Sequence, residues 1–374
     1  MKIIIAPDKF KGSITGLEFC NVVKESVKKV LPDAKILNLP LADGGDGTIE
    51  VVNYYLKGNW ISLEVNNPFF KTIKASYLFS DSTKTAFIEM AEASGLKLLN
   101  PQAFDCKNAT TYGTGQLILD ALNKGAKHII LGIGGSATND CGIGMATALG
   151  YQFLDINNKQ IKPIGANLSK INSINLTKIN PKLKNVSFDI ACDVTNPLYG
   201  KNGAAYIYGK QKGATDGDVK MLDKGLEDFS KIITAQFQID PQTVSGAGAA
   251  GGMGIASKIF LNGNLERGIN LIKKLANFDT QIEGADWIIT GEGKLDNQTL
   301  SGKTIQGVID SAKAKKIKVA AFCGVIEINE KELLDLGISY YDSIVDYSKS
   351  IEDGFKNVYQ YLQKISEIFS QKIY

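Results

Sequence analysis

The sequence predicts an α/β protein in which one parallel-sheet domain is interrupted by a second, inserted α/β domain. Three observations support this fold class. Strand and helix patterns alternate near the N-terminus, and the same alternation returns near the C-terminus. The residues between them differ in pattern, with strands separated by turns and with surface hairpins. We therefore place a discontinuous outer domain at residues 1–64 plus 284–374 and an inserted domain at residues 65–283.

The N-terminal region predicts two successive strand–helix units. Residues 3–6 form a short apolar, β-branched run, and a loop follows it. Thr15 and Glu18 have the spacing of a capping box at the start of a helix. Apolar residues then recur at helical intervals until Pro32. Residues 36–39 predict the next strand, and a glycine-containing loop leads from it to a second helix.

The rest of the chain continues the alternation. After residue 284 the expected elements are a strand at 287–290, a helix from about 301 to 316, strands at 319–323 and 344–345, and helices at 330–336 and 352–372. In the middle of the chain the expected elements are strands with turns over 65–90, buried strands at 129–133 and 188–192, and surface hairpins over 155–184.

Composition excludes several classes of site. The 374 residues include one histidine, His128, and five scattered cysteines without a C-x-x-C pair, which argues against zinc and against a disulfide framework. Of the 42 basic residues only Arg267 is an arginine. Anions must therefore be held by lysine, backbone N–H groups or a metal ion. The net charge of +3 and the lack of a basic block argue against nucleic acid as a partner.

No membrane or export segment is expected. The apolar run at the N-terminus is shorter than a signal-peptide core, and no stretch approaches the roughly 20 apolar residues of a membrane span. We therefore expect a soluble, cytoplasmic protein without a membrane partner. Its oligomeric state does not follow from the sequence.

Many of the 38 glycines cluster in loops. Four clusters lie at residues 43–48, 132–140, 246–254 and 291–296, and several of them follow a predicted strand and precede a predicted helix. Glycine there lets the backbone approach a ligand, and the N-terminus of the next helix favours an anion. Each cluster alone is better explained as a tight turn. Together, with acids and hydroxyls beside them, they favour phosphate chemistry.

Two phosphate-binding motifs are matched only in part. Gly302-Lys303-Thr304 resembles the end of a P-loop, but Asn297 occupies the place of its first glycine. Gly246, Gly248 and Gly251 have the spacing of a dinucleotide fingerprint, but no long strand precedes them and no acid ends a second strand. A nicotinamide site is therefore not expected.

Phosphoryl transfer to an alcohol requires cations around the phosphates, a metal held by carboxylates and a base near the hydroxyl. The loops supply acids and lysines for these roles, and with a single histidine the base is most simply a carboxylate. Asp193 is favoured as the base because it directly follows the apolar run at 188–192, although it could instead start an Asx turn. Asp8 and Asp140 could equally be helix caps or turn formers.

Six segments, taken in order, resemble those of bacterial glycerate kinases of the type 1 glycerate 2-kinase family. They are residues 6–13, 42–48, 134–140, 191–198, 246–254 and 290–303. The resemblance implies a discontinuous flavodoxin-like domain with a large inserted α/β domain, and an active site in the cleft between them. It also implies ATP-dependent phosphorylation of D-glycerate, usually at the 2-hydroxyl to give 2-phosphoglycerate, with Mg²⁺.

Some positions differ from the pattern of that family. Lys9 stands where serine is common, Asp46 where glutamate is common, Cys141 where glycine is common and Lys294 where arginine is common. The changes at Asp46 and Lys294 keep the charge, but Lys294 loses the bidentate geometry of arginine.

The alternatives to a glycerate 2-kinase are a kinase of another small hydroxy acid, a glycerate 3-kinase, and a non-catalytic sensor of a phosphorylated metabolite.

The predicted site residues fall into three groups. The catalytic candidates are Asp193, Asp296 and Lys11. The candidates for binding substrate or phosphate are Asp8, Ser13, Asp43, Gly44, Gly45, Thr48, Gly134, Gly135, Ser136, Asn139, Asp140, Gly248, Gly251, Glu292, Lys294 and Lys303. The candidate metal ligands are Asp43 and Asp193. D-glycerate and ATP are the expected small-molecule partners.

Overall fold

A computed structural model describes residues 1–44, 47–296 and 304–374. The chain divides into two compact units. The first consists of Met1–Tyr55 and Ile269–Tyr374, and the second consists of Leu56–Gly268. The first unit is therefore discontinuous in sequence, and the predicted class of mixed α/β fold with parallel sheets is confirmed.

Strands and helices alternate along much of the chain. The strands are β1 Lys2–Ile5, β2 Lys35–Asn38, β3 Asn59–Asn66, β4 Thr72–Ser80, β5 Thr85–Glu89, β6 His128–Gly132, β7 Gln152–Leu154, β8 Ser173–Asn175, β9 Ser187–Ala191, β10 Asn264–Glu266, β11 Trp287–Thr290, β12 Lys294–Leu295, β13 Lys318–Cys323, β14 Val325–Ile326 and β15 Ile338–Ser343. The α-helices are α1 Gly16–Val30, α2 Thr48–Leu56, α3 Ala91–Ser94, α4 Tyr112–Asn123, α5 Ile143–Ala148, α6 Ala204–Tyr208, α7 Asp216–Phe237, α8 Ala249–Phe260, α9 Gly268–Leu275, α10 Phe278–Gln281, α11 Thr304–Lys315, α12 Glu330–Asp335, α13 Ile351–Lys356 and α14 Val358–Ile373. One- or two-turn 3₁₀ helices cover Leu96–Leu98, Pro101–Ala103, Gly165–Lys170, Pro181–Asn185, Lys210–Lys212, Pro241–Thr243 and Ile344–Asp346.

The sheet of the first unit is parallel throughout. Its strands lie in the order β2-β1-β11-β13-β15, and every neighbouring pair is parallel. Counted within the unit, this order is 2-1-3-4-5, which is the order of flavodoxin-like folds. The topological switch point, where such folds bind ligands, lies between β1 and β11 at the carboxyl edge of the sheet.

The second unit contains a mixed six-stranded sheet in the order β10-β9-β6-β5-β4-β3. The four strands from β10 to β5 are parallel, and β4 and β3 are antiparallel additions. The carboxyl ends of β5, β6, β9 and β10 therefore meet at one edge. Because β3 starts at Asn59 and pairs with β4, the second unit begins before the predicted boundary at residue 65, and the first resumes at Ile269 rather than 284.

A capping box starts α1, and aromatic packing holds α14 in the core of the first unit. Thr15 and Glu18 form the predicted capping box at the start of α1. Phe369 of α14 packs against Phe322 of β13 with ring centroids 5.4 Å apart, and against Trp287 of β11 at 5.1 Å. These rings, of which Phe322 and Phe369 are fully buried and Trp287 partly, hold the C-terminal helix on the sheet.

Two predicted elements near the C-terminus are different in the structure. The predicted strand at 344–345 is wrong, because the strand is β15 and Ile344–Asp346 form a 3₁₀ turn. This edge strand contains Tyr340, Tyr341 and Asp342, whose polar groups hide the apolar pattern. The predicted terminal helix is divided into α13 and α14 at Asn357. Among the described residues, no helix combines the length and the apolar character needed to cross a membrane.

Candidate active site

In the first unit, two acidic loops leave the sheet at its switch point. Asp8 follows β1 and Glu292 follows β11, and the Asp8 backbone N–H donates to the Gly291 carbonyl at 2.9 Å. Gly291 is required by close packing, since a Cβ there would lie 2.0 Å from the Phe322 carbonyl oxygen. The two loops therefore start side by side and bring their carboxylates to the same edge of the sheet.

These loops open onto a cavity of about 730 Å³ within the first unit. Its polar lining brings together acids, lysines and a hydroxyl that the sequence predicted, namely Asp8, Lys11, Ser13, Asp43, Glu292 and Lys294. Its apolar lining comes mainly from residues 344–358 and includes Ile344, Val345, Ile351, Phe355 and Val358. A cavity with both kinds of lining suits a ligand that has a charged part and an apolar part.

The carboxyl group of Asp8 in this cavity has a strongly perturbed pKa. Burial, the largest cause, raises the pKa of Asp8 to about 6. The nearby charge of Asp43 raises this pKa further, while a hydrogen bond from the Thr304 hydroxyl and one from the Lys9 backbone N–H at 2.7 Å lower it. A carboxyl group that titrates near neutrality inside a cavity is a candidate for chemistry or metal binding.

Other predicted residues of the first unit lie in the same region. Lys294 forms ion pairs with Glu327 at 2.8 Å and with Asp296 at 3.5 Å. The Ser13 hydroxyl donates to the Phe355 carbonyl oxygen at 3.4 Å. Gly44 has a φ of +95°, and Thr48 begins α2. The predicted site residues Gly45 and Lys303 lie outside the described residues.

The second unit brings other predicted residues to the carboxyl edge of its sheet. Gly134, Gly135 and Ser136 follow β6, and Asp193 follows β9, which is the neighbouring parallel strand. Gly134 and Gly135 are exposed, and so is Asp193. One carboxylate oxygen of Asp193 accepts a hydrogen bond from the Gly268 backbone N–H at 3.0 Å. A glycine-rich turn and an acid therefore lie on adjacent strand ends.

Asp140 has a different environment from the other predicted acids. It is fully buried, and its carboxylate accepts hydrogen bonds from the backbone N–H and the hydroxyl of Thr111, both at 2.8 Å. It also accepts from the backbone N–H groups of Gly142 and Gly144. Burial raises the pKa of Asp140, and these hydrogen bonds oppose the shift. The carboxylate thus ties the start of α4 to the start of α5.

Two glycines that were predicted to cradle phosphate pack against protein backbone. A Cβ at Gly251, where φ is +73°, would lie 2.2 Å from the Thr138 carbonyl oxygen. A Cβ at Gly248 would lie 2.1 Å from that of Pro197. Close packing within the unit is enough to require both glycines. Asn139 lies beside this contact and is 1% exposed, and its two amide atoms have no hydrogen-bond partner among the described residues.

Sequence reasoning missed Lys212. This lysine is only 4% exposed, and its ammonium group donates to the Ser136 hydroxyl oxygen at 2.7 Å and to the Thr138 carbonyl oxygen at 2.9 Å. Burial lowers the pKa of Lys212 to about 8, so the group is still mostly charged at neutral pH. No local pattern distinguishes Lys212 from the other lysines, because only the folded chain brings it to Ser136.

Comparison with known proteins places the chain in a family. The model of the glycerate kinase family matches residues 3–373. A glycerate kinase from Bacillus cereus is 42% identical over 95% of this chain and 93% of its own length. The glycerate 2-kinase of Escherichia coli K12 is 38% identical over 98% of this chain and 96% of its own length.

A solved structure agrees with the sequence comparisons. A crystal structure of a glycerate kinase 2 from Salmonella typhimurium LT2 superimposes with a TM-score of 0.89 at 37% identity, covering 100% of this chain and 98% of that one. The chain therefore belongs to the glycerate kinase family. The predicted family and the predicted class of enzyme, a kinase, are confirmed.

Proposed function

We propose that the chain transfers the γ-phosphoryl group of ATP to the 2-hydroxyl of D-glycerate and yields 2-phosphoglycerate and ADP. Family membership supports the class of reaction, and the name of the Escherichia coli relative supports the 2-position. The observation that carries the proposal is the gathering of Asp8, Asp43 and Glu292 with Lys11 and Lys294 around one cavity at the switch point of the sheet.

This cavity in the first unit is the proposed nucleotide site. Its lysines would neutralise phosphate oxygens as point charges, a role that arginine fulfils in many other proteins. Its apolar residues over 344–358 would contact the base and ribose. The chain's single arginine, Arg267, does not line the cavity, so phosphate binding is left to lysine and backbone N–H groups.

The donor set of the same cavity fits Mg²⁺ in the form that kinases use. Among the described residues, no group of three or more His, Cys, Asp or Glu side chains lies close enough to hold a metal by itself. Mg²⁺, however, is usually bound through one or two carboxylates together with substrate phosphates and waters. Asp8 and Asp43 line one cavity, and the charge of Asp43 reaches Asp8. A bound Mg²⁺ would neutralise phosphate charge there.

The second unit supplies the proposed base. The carboxylate of Asp193 would accept the proton of the 2-hydroxyl while that oxygen bonds to the γ-phosphorus and the bond from this phosphorus to the β–γ bridging oxygen breaks. Asp193 is exposed at the sheet edge, where substrate can reach it. Asp296 is the alternative base and already forms an ion pair with Lys294. That the active site lies between the two domains stays a prediction.

An assay of ADP release tests the proposed reaction. Purified chain with ATP and Mg²⁺ is given D-glycerate, L-glycerate or tartronate, and ADP is measured by a coupled enzyme. We expect the highest kcat/KM with D-glycerate. Faster turnover with another acid would make that acid, not D-glycerate, the substrate. If no hydroxy acid leads to ADP release, a sensor of phosphorylated metabolites is favoured instead.

A further inference from the structure

The buried cation Lys212 lies directly behind the turn that follows β6. Its ammonium group has no carboxylate within ion-pair distance among the described residues, and it is held by one hydroxyl and one carbonyl oxygen. A charge buried with only neutral partners is costly, because these partners replace the water that it loses only in part. Burial lowers the pKa of Lys212, whereas the charge of the buried Asp140 acts from a longer distance and raises it. The fold therefore holds a positive charge beneath Ser136 without a direct ion pair to any residue that the structure describes.

The contact between Lys212 and Ser136 also fixes the direction of the serine hydroxyl group. The ammonium donates to the Ser136 oxygen, so this oxygen acts as the acceptor and its own proton must point elsewhere. Within the described part of the chain, that proton has no acceptor. A hydroxyl that accepts from a cation is also polarised and becomes a stronger donor.

Ser136 is itself buried, with 5% of its surface exposed, but the turn that precedes it is open to a ligand. Ser136 follows Gly134 and Gly135, which are exposed, and a Cβ added at Gly134 would meet no atom within 4 Å. The next strand of the sheet ends at Ala191, opposite Gly132, and leads to Asp193. The oriented hydroxyl and the proposed base therefore leave the sheet from adjacent strand ends.

We propose that Lys212 is a positioning residue, which orients the Ser136 hydroxyl so that it donates a hydrogen bond to the carboxylate of the hydroxy-acid substrate. This inference rests on the proposed function, which makes a small hydroxy acid the acceptor and places the nucleotide in the first unit. The hydrogen bond and the buried charge both favour an anion, and the carboxylate is the anionic group of that substrate.

The test compares Ser136→Ala, Lys212→Met and the double variant. Methionine is close to lysine in volume, and thermal unfolding checks that each variant folds. Each single variant should raise the KM for D-glycerate by roughly 10- to 100-fold, the range for a hydrogen bond to a charged group. The KM for ATP should stay unchanged, and the double variant should be no worse than Ser136→Ala.

Two further variants separate positioning from a structural role. Ser136→Thr keeps a hydroxyl and should recover most of the affinity that Ser136→Ala loses. Lys210→Met removes an exposed lysine from the same 3₁₀ turn and should leave both KM values unchanged. An unchanged KM for D-glycerate in folded Ser136→Ala and Lys212→Met overturns the proposal. A rise in the KM for ATP instead, or additive losses in the double variant, also overturns it.

Calorimetry of D-glycerate binding without ATP separates this inference from the reaction itself. A wild-type chain that binds D-glycerate but releases no ADP would overturn the proposed function alone. In that case, weaker binding by Ser136→Ala and Lys212→Met than by Lys210→Met would still support the positioning role. A wild-type chain that neither binds D-glycerate nor releases ADP with it would overturn both the inference and the proposed function.

Discussion

The carboxyl group of Asp8 illustrates at the residue scale how the fold sets the chemistry of a side chain. Its pKa in the folded chain is about 6, against 3.8 for an ordinary aspartate. Because the folded pKa is raised, the protonated group favours the folded state fully below about pH 4, and this contribution is lost as the pH rises through about 6. Above about pH 6 the ionised group therefore lowers stability.

Asp8→Asn should consequently stabilise the chain at neutral and higher pH. Asparagine removes the charge but keeps an oxygen that can accept from the Lys9 backbone N–H. We expect the free energy of unfolding to rise by about 1–3 kcal/mol near pH 8, with the gain disappearing near pH 4. Urea unfolding at the two pH values measures this. A variant that is less stable than the wild type near pH 8 would contradict the assigned burial cost.

Asp193→Asn tests the proposed base. We expect kcat to fall by about 100-fold or more, the usual scale for a general base, with little change in stability because the side chain is exposed. Asp189→Asn is the matched control. Asp189 lies within β9, before the loop that carries Asp193, and contacts His128 at 3.5 Å, so its variant should keep the wild-type kcat. Near-wild-type turnover in Asp193→Asn would eliminate Asp193 as the base.

Individual residues differ in how well the sequence predicts their position. Asp8 and Asp193 could be placed at a sheet edge because each follows an apolar run that predicts a strand. Lys212 could not be placed, because its hydrogen-bond partner Ser136 lies 76 positions away in sequence. The buried position of Asp140 could not be predicted either, since its carboxylate accepts hydrogen bonds from Thr111, which belongs to another loop.

At the scale of elements, the start of α8 depends on an unusual backbone. Ala250, Gly251 and Gly252 all have positive φ, and the Cα of Gly251 approaches the segment after β6. This contact, rather than a ligand, is enough to explain why glycine is required there. The sequence analysis expected a ligand to approach these glycines, whereas the close approach in the structure is to protein backbone.

Gly251→Ala should therefore be strongly destabilising. The added Cβ would lie 2.2 Å from the Thr138 carbonyl oxygen, in a backbone conformation that alanine adopts poorly. We expect a loss of about 3 kcal/mol or more in unfolding free energy, or no folded protein.

The control for this variant is Gly217→Ala in α7. Gly217 is exposed, and a Cβ there would have its nearest contact 3.8 Å away, at the Thr215 hydroxyl oxygen. This variant should be neutral or more stable by up to about 1 kcal/mol. Urea unfolding of both variants measures the difference, and equal stability of the two would contradict the packing account of Gly251.

Helix and strand signals predicted many elements where sequence and environment agree. The strand at 287–290 is apolar because it is a central strand of the sheet, with β1 on one side and β13 on the other. The helix α1 carries its own capping box. The prediction of a strand at 344–345 was wrong because the edge strand is β15, which carries polar side chains. As an edge strand, β15 pairs only with β13 among the described strands. Edge strands obey the hydrophobic pattern less strictly than central ones.

At the scale of the whole chain, the order of strands cannot be read from periodicity. Ile3 of β1 pairs with Trp287 of β11, so the central strand pair of the first sheet joins the segment before the inserted unit to the segment after it. The inserted second unit separates these strands in the chain. The discontinuous arrangement could still be predicted, because the same strand–helix alternation occurs before and after the insertion.

This pairing also creates the proposed nucleotide site. The loops after β1 and β11 meet only because the two strands are neighbours, and they bring Asp8 and Glu292 to one cavity. Because both loops follow predicted strands of one parallel sheet, the sequence places them at the same edge, but it does not show that the two strands are neighbours.

The most direct test of the account is phosphorus NMR of the reaction products. The chain is incubated with ATP, Mg²⁺ and D-glycerate, and the phosphate ester that forms is compared with authentic 2-phosphoglycerate and 3-phosphoglycerate. We expect 2-phosphoglycerate in amounts equal to the ADP released. Formation of 3-phosphoglycerate, or ADP without any phosphoglycerate, would contradict transfer to the 2-hydroxyl.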